Sequence, residues 1–110
     1  AGSDAAALKR TADELQTWVA AHAGDAEAWL LASQLWTRLG EPLRSLRAEA
    51  EARLALGDLD GAIDRLRAGQ RFVRDGKRAD FIEASVIDAR LRDIEALRRE
   101  LQAEARKNGG

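Results

Sequence analysis

The sequence has no cysteine, one proline, one histidine and five aromatic residues (three Trp and two Phe) among 110. Without cysteine there is neither a disulfide framework nor thiolate chemistry. β-Branched residues are scarce as well: three Val, four Ile and three Thr, against 23 Ala, 15 Leu and 15 Arg. Ala and the straight-chain residues keep their rotamer freedom in a helix, whereas β-branched residues favour strands. That balance excludes a sheet of consequence and predicts an all-α chain. No apolar run approaches the ~20 residues that a membrane span needs, and no signal-peptide pattern is present. The chain begins Ala-Gly-Ser without Met, which reads as a mature fragment or an excised domain of something longer. The formal net charge is -1, without the basic excess that marks a dedicated nucleic-acid binder.

Five helical segments are expected, separated by short punctuation. The first spans about 4–21, with Leu8, Ala12, Leu15, Trp18 and Val19 on one face. Gly24 is expected to close it in the left-handed conformation, and Asp25 to cap the second. The second spans about 26–39, with Trp29, Ala32, Leu35, Trp36 and Leu39 at steps of three and four. Gly40 ends it, and Pro42 opens the third, about 42–56, at a position where its missing N–H costs nothing. Gly57 and Asp58 separate the third helix from the fourth, about 59–74, which carries Ala62, Ile63, Leu66, Gly69 or Gln70, and Val73. Asp75-Gly76 is a turn signal. The fifth and longest, about 79–106, carries Ile82, Val86 or Ile87, Leu91, Ile94, Leu97 and Leu101. Pairs at four-residue spacing, Asp88 with Arg92 and Glu95 with Arg99, are expected to support its exposed face. One domain over 1–107 and a flexible tail over 108–110 follow from this organisation.

Residues that carry bond chemistry are missing in number and arrangement. One His22 cannot supply a zinc site, which needs several converging ligands; it reads as an exposed or capping residue. Ser3, Ser33, Ser45 and Ser85 have no histidine placed to activate them and no nucleophile-elbow pattern around them. Acidic pairs such as Asp13-Glu14 and Asp58/Asp60 fall on exposed faces or at helix starts, where the dipole favours negative charge. Glycines sit singly, so no phosphate-cradling loop is present. The chain is expected to be non-catalytic, with no cofactor and no metal.

Gly40 and Gly57 lie 17 residues apart, each after a Leu and before an acidic residue that opens a helix. Seventeen is half the 34-residue tetratricopeptide period. With residue 26 as the first position, Trp29, Ser33, Trp36, Gly40, Ser45 and Ala52 fall on the usual Trp, small, aromatic, glycine, small and Ala positions. A second register also works: Gly57 becomes the inter-helix glycine, and Ala50, Ala62 and Gly69 land on the small positions. The chain therefore resembles a tetratricopeptide-like solenoid of about five antiparallel helices, in which each helix buries faces against both neighbours.

A narrower resemblance follows from the order Trp18, Ala28-Trp29, Gly40-Glu41-Pro42-Leu43, the 44–51 stretch, Gly57-Asp58, Ala62-Ile63 and Ile87-Asp88-Ala89-Arg90-Leu91. It is similar to the C-terminal repeat domain of the BepA-type periplasmic zinc metalloproteases, over about residues 8–101. The resemblance implies a periplasmic parent that acts in outer-membrane protein quality control, with this tail as a non-catalytic protein–protein interaction module. The alternative is a stand-alone adaptor or oligomerisation domain. The His-Glu-x-x-His motif of that family is absent from this chain.

Three surfaces are candidates for a protein or peptide partner. The first register presents Glu27, Leu30, Gln34, Thr37 and Arg38 on the inner face of the solenoid; the second presents Arg44, Arg47, Glu51 and Leu54. A basic stripe, Arg67, Arg71, Arg74 and Arg78 at steps of four, three and four, offers guanidinium groups to an acidic surface such as the parent's own protease domain, or is simply a solvated face. Nucleic acid is not expected, because no aromatic platform accompanies the stripe. The last helix outruns its neighbours, so Ile94, Leu97 and Leu101 are expected to pack on a second copy or on the rest of the parent.

Overall fold

In the computed structural model, residues 2–76 and 80–109 are described, and they form five helices with no strand among them. Helix α1 is Gly2–Ala21, α2 Ala26–Arg38, α3 Pro42–Ala55, α4 Leu59–Arg74 and α5 Phe81–Gly109. The last of these includes Asn108 and Gly109, which the sequence assigned to a tail, and begins two residues later than expected.

The helix ends follow from local chemistry. Asp25 Oδ1 accepts from the Ala28 N–H at 3.0 Å, and Asp58 Oδ1 from the Gly61 N–H at 2.8 Å. These are N-cap bonds that satisfy donors the helix itself cannot. Asp80 does the same for α5, accepting from Ile82 and Glu83 at 2.9 and 3.2 Å. Helix α3 has no side-chain cap and opens on Pro42 instead. Gly40 and Gly57 lie at φ +74° and +82°, the left-handed residue that terminates α2 and α3. Gly24 is not in that region, contrary to expectation. Indole N–H groups hold the α1–α2 turn instead: Trp18 Nε1 donates to Asp25 Oδ2 and Trp29 Nε1 to the Ala23 carbonyl, both at 2.9 Å.

Consecutive helices pack side by side, and the only further helix contact among the described residues joins α3 to α5. Helices α4 and α5 run antiparallel: Arg98 meets Asp60, Arg67 meets Glu95 and Gln70 meets Asp88. Helices α3 and α5 run parallel, with Arg47 on Glu83 and Arg90 on Glu51. Two apolar clusters result. One joins Ala12 and Val19 of α1, Trp29, Ala32, Leu35 and Trp36 of α2, and Ala48 and Ala52 of α3. The other joins Leu43 and Ala50 of α3, Ala62, Ile63 and Leu66 of α4, and Ile87, Leu91 and Ile94 of α5.

Small residues allow the close approach. Ser33, Ser45 and Thr37 meet between α2 and α3, where the Ser45 and Thr37 hydroxyls donate to the Ser33 carbonyl at 2.9 and 3.0 Å. On α4, Gly69 is buried, and a Cβ there would lie 2.9 Å from Ile87 Cδ1. Trp36, 1% exposed, fills the space between α1 and α3, with Lys9 Nζ and Arg44 Cζ at 5.8 and 4.8 Å from its ring centroid.

Two corrections concern α5. Ile82, expected in the apolar stripe, is 79% exposed, and Ile87 rather than Val86 enters the core. The pairs Asp88–Arg92 and Glu95–Arg99 do not form, because Gln70 and Arg67 of α4 engage Asp88 and Glu95.

The cap carboxylates make stability pH-dependent. Asp58 is held below its ordinary 3.8 chiefly by the Gly61 N–H and then by Arg53; Asp25 is lowered by the Ala28 N–H and then by the Trp18 indole. A lowered folded-state value means that the stabilisation is complete above the unfolded value and is lost as pH falls through the folded one. Asp58→Asn keeps a cap acceptor that does not titrate. Its melting temperature should therefore drop less than that of the unsubstituted chain between about pH 6 and about pH 3, as followed by circular dichroism.

Candidate functional site

Helix α3 presents four faces to its surroundings. Ser45, Ala48 and Ala52 face α2, while Leu43, Ala50 and Leu54 face the α4–α5 cluster. Arg47 and Glu51 face α5. At 100° per residue, Leu46, Glu49, Arg53 and Leu56 fall on the side opposite Arg47 and Glu51. Helices α2 and α4 flank α3 without touching each other. The fourth face is therefore the floor of an open groove.

Two adjoining recesses make up this groove. One, about 580 Å³, is lined by Thr37, Gly40, Pro42, Ser45, Leu46 and Glu49. The other, about 330 Å³, is lined by Leu30, Ser33, Gln34, Glu49, Ala52, Arg53 and Leu56. Glu49 belongs to both and stands between Arg53 and Arg65, at 3.8 and 3.9 Å. Those distances are loose, and tighter partners hold both arginines: Asp58 at 3.1 Å from Arg53 and Asp64 at 2.7 Å from Arg65. The Arg65 guanidinium in turn lowers the Asp64 carboxyl. Leu30 of α2 and Leu56 on the floor give the groove exposed apolar surface. The arrangement therefore combines a shallow apolar trough with a central, incompletely neutralised carboxylate.

Of the first-register residues, Leu30, Gln34 and Thr37 come together in this groove, while Glu27 and Arg38 are exposed on α2 outside its lining. The second-register residues are not an open surface. Arg47 Nε donates to Glu83 Oε1 at 2.6 Å, and Arg90 reaches Glu51 with two bonds of 2.7 and 2.9 Å. Arg47 also lies 3.8 Å from Glu51, closing a four-residue network. Glu51 and Glu83 are buried, and Leu54 packs against the second core. The Glu51 bonds raise the Arg90 guanidinium further above its ordinary range. Sequence reading missed this pairing because its partners lie more than 30 residues apart; the only local signal was the Arg47/Glu51 spacing.

The helix that carries the basic stripe ends at Arg74, with Gly76 at φ +76° two residues on. Arg67 is committed to Glu95 at 3.0 Å. Arg71 and Arg74 are exposed without an ion pair among the described residues, and Arg78 lies outside those residues. In α5, Ile94 is 1% exposed and belongs to the core, so it cannot serve self-association as expected. Leu97 and Leu101 do remain exposed, Leu101 beside a step formed with Gly57–Asp60.

His22 is exposed at the end of α1. It stacks on Trp18 with centroids 3.6 Å apart, and its Nδ1 lies 3.0 Å from the Trp18 carbonyl. Among the described residues no cluster of His, Cys, Asp or Glu is arranged to hold a metal ion, and no helix is long and apolar enough to cross a membrane. Comparison of the chain with family models, curated proteins and solved structures yields no match.

The network makes a stability prediction. Glu51→Ala leaves two guanidinium groups without their shared carboxylate, and breaking a buried pair costs about 3 kcal/mol or more. Arg90 is partly solvated, which reduces this to roughly 2 kcal/mol. Chemical denaturation should show that loss, with Arg90→Met partly restoring stability in the Glu51→Ala background.

Proposed function

We propose that this chain is a non-catalytic, tetratricopeptide-like module that holds a segment of a partner protein in the groove over α3. The observation that carries the reading is the uncovered face of α3, where Leu46, Glu49, Arg53 and Leu56 line recesses shared with Leu30, Gln34 and Thr37 of α2. Leu30 and Leu56 would bury apolar side chains, and Gln34, Thr37 and Glu49 would bond polar ones. A rigid scaffold with a preformed trough limits the entropy lost on binding, which is how a groove of this size reaches useful affinity.

The small-residue contacts between α2 and α3, the matching glycine turns at Gly40 and Gly57, and the α3–α5 contact support a repeat solenoid. In such a solenoid alternate helices meet along one side and part along the other. The parent we propose is a BepA-type periplasmic metalloprotease, and this rests on the residue order alone. A His-Glu-x-x-His helix encoded upstream supports it, and its absence removes that parentage while leaving the module reading intact.

A photo-crosslinking residue placed at Gln34 or at Leu46 in the parent protein should capture the same partner, and one at Glu14 on α1 should not. Leu30→Asp should abolish both crosslinks while leaving helicity unchanged. Equal capture from Glu14, or capture that survives Leu30→Asp, would reject the groove as the binding site.

A further inference from the structure

The outer face of α5 is covered by no described helix, since α3 and α4 both pack on its opposite side through Ile87, Leu91 and Ile94. Its charges are sorted. Down the middle run Ile82, Ala89, Ala96 and Ala103, seven residues apart. On one flank stand Arg92 and Arg99, and on the other Asp93 and Glu100, also seven apart. All four charged residues are exposed.

Their partners within the chain have been drawn away. The carboxylates one turn before Arg92 and Arg99 are Asp88 and Glu95, which α4 engages through Gln70 and Arg67. Neither Arg92 nor Arg99, nor Glu100, has an ion pair among the described residues. Asp93 has only a 3.3 Å contact with Arg90, whose guanidinium is already held by Glu51.

This pattern is self-complementary in one orientation. A two-fold axis parallel to α5 sets the basic flank of one copy against the acidic flank of the other at the same height. Arg92 then meets Asp93 of the second copy, and Arg99 meets Glu100, each twice by symmetry. With antiparallel helices, Arg92 would instead meet Arg99, and Asp93 would meet Glu100. Ala89 and Ala96 place no bulk between the helices, and the two helical bodies lie on the far sides of the pair.

We propose that the outer face of α5 is a homodimer interface in which two copies pair with their last helices parallel. The pairing stretch runs from Ile82 to Ala103, because beyond it Arg106 would face Lys107. It spans roughly 30 Å and is one helix wide. That is at the low end of specific interfaces, so the dimer is weak, concentration-dependent and salt-sensitive. It uses none of the groove residues and stands whether or not the groove binds a partner.

The test uses the 110-residue chain in sedimentation equilibrium at low salt over a wide concentration range. A monomer–dimer equilibrium is expected. Arg99→Glu should raise the dissociation constant at least tenfold, and the swap Arg99→Glu with Glu100→Arg should restore it; circular dichroism checks that both variants fold. Because the chain has no cysteine, Ala89→Cys and Ala103→Cys give a direct reading of direction. Each alone should form a disulfide dimer under mild oxidation. Crosslinking only between the two variants mixed would show antiparallel pairing and overturn the proposal. So would a strict monomer at all concentrations, a dimer indifferent to Arg99→Glu, or a dimer lost on Leu101→Asp while Arg99→Glu leaves it intact.

Discussion

Everything in this structure depends on α3 being packed on three sides. A helix covered by α2, α4 and α5 cannot carry the single apolar stripe of a surface helix. Its sequence, Pro-Leu-Arg-Ser-Leu-Arg-Ala-Glu-Ala-Glu-Ala-Arg-Leu-Ala, shows how that demand is met. Ala48, Ala50 and Ala52 let two neighbours come close on different faces. Arg47 and Glu51 occupy the third face, where Glu83 and Arg90 neutralise them. The fourth face is open because α2 and α4, each drawn onto α3, cannot also reach one another.

Two interactions hold α5 on α3 and so set the way the array of helices bends. Leu43 and Ala50 of α3 share an apolar cluster with Ile87, Leu91 and Ile94 of α5. Beside that cluster, two guanidinium groups and two carboxylates meet at 2.6–2.9 Å. They are directional, and separating them would leave charges in a largely desolvated site. The network adds little net stability relative to an apolar replacement, but it opposes every alternative in which α5 leaves α3. By closing one side it holds the groove open on the other.

Local chemistry was legible in the sequence, and distant pairing was not. Gly40, Gly57, Asp25, Asp58 and Pro42 act within four residues of themselves, and their roles follow from capping and backbone rules alone. The core faces of α2 and α4 were readable from spacing for the same reason. Gly24 failed because indole bonds from Trp18 and Trp29 hold that turn, and such bonds have no local signature. Of the five α2 residues expected on one surface, Leu30, Gln34 and Thr37 line the groove and Glu27 and Arg38 do not, since the groove takes in only part of that helix face. Ile94 was misplaced because its cover comes from the α3–α4 cluster, some 30 or more residues earlier.

Charge shows the same division between local and distant partners. A count over the whole chain gives -1 and conceals where each sign goes. Four-residue spacing on α5 suggested a helix that neutralises itself. In the folded chain the cross-helix partners are the ones engaged, and the local pairing they displace is a small loss, because an exposed pair four residues apart is worth only a few tenths of a kcal/mol. Arg67 takes Glu95 and Gln70 takes Asp88. The arginines left behind stand on the side of α5 that faces away from the body. Stabilising the α4–α5 contact thus creates an uncompensated basic row beside an acidic one, and the outward charge pattern is a consequence of the inward packing.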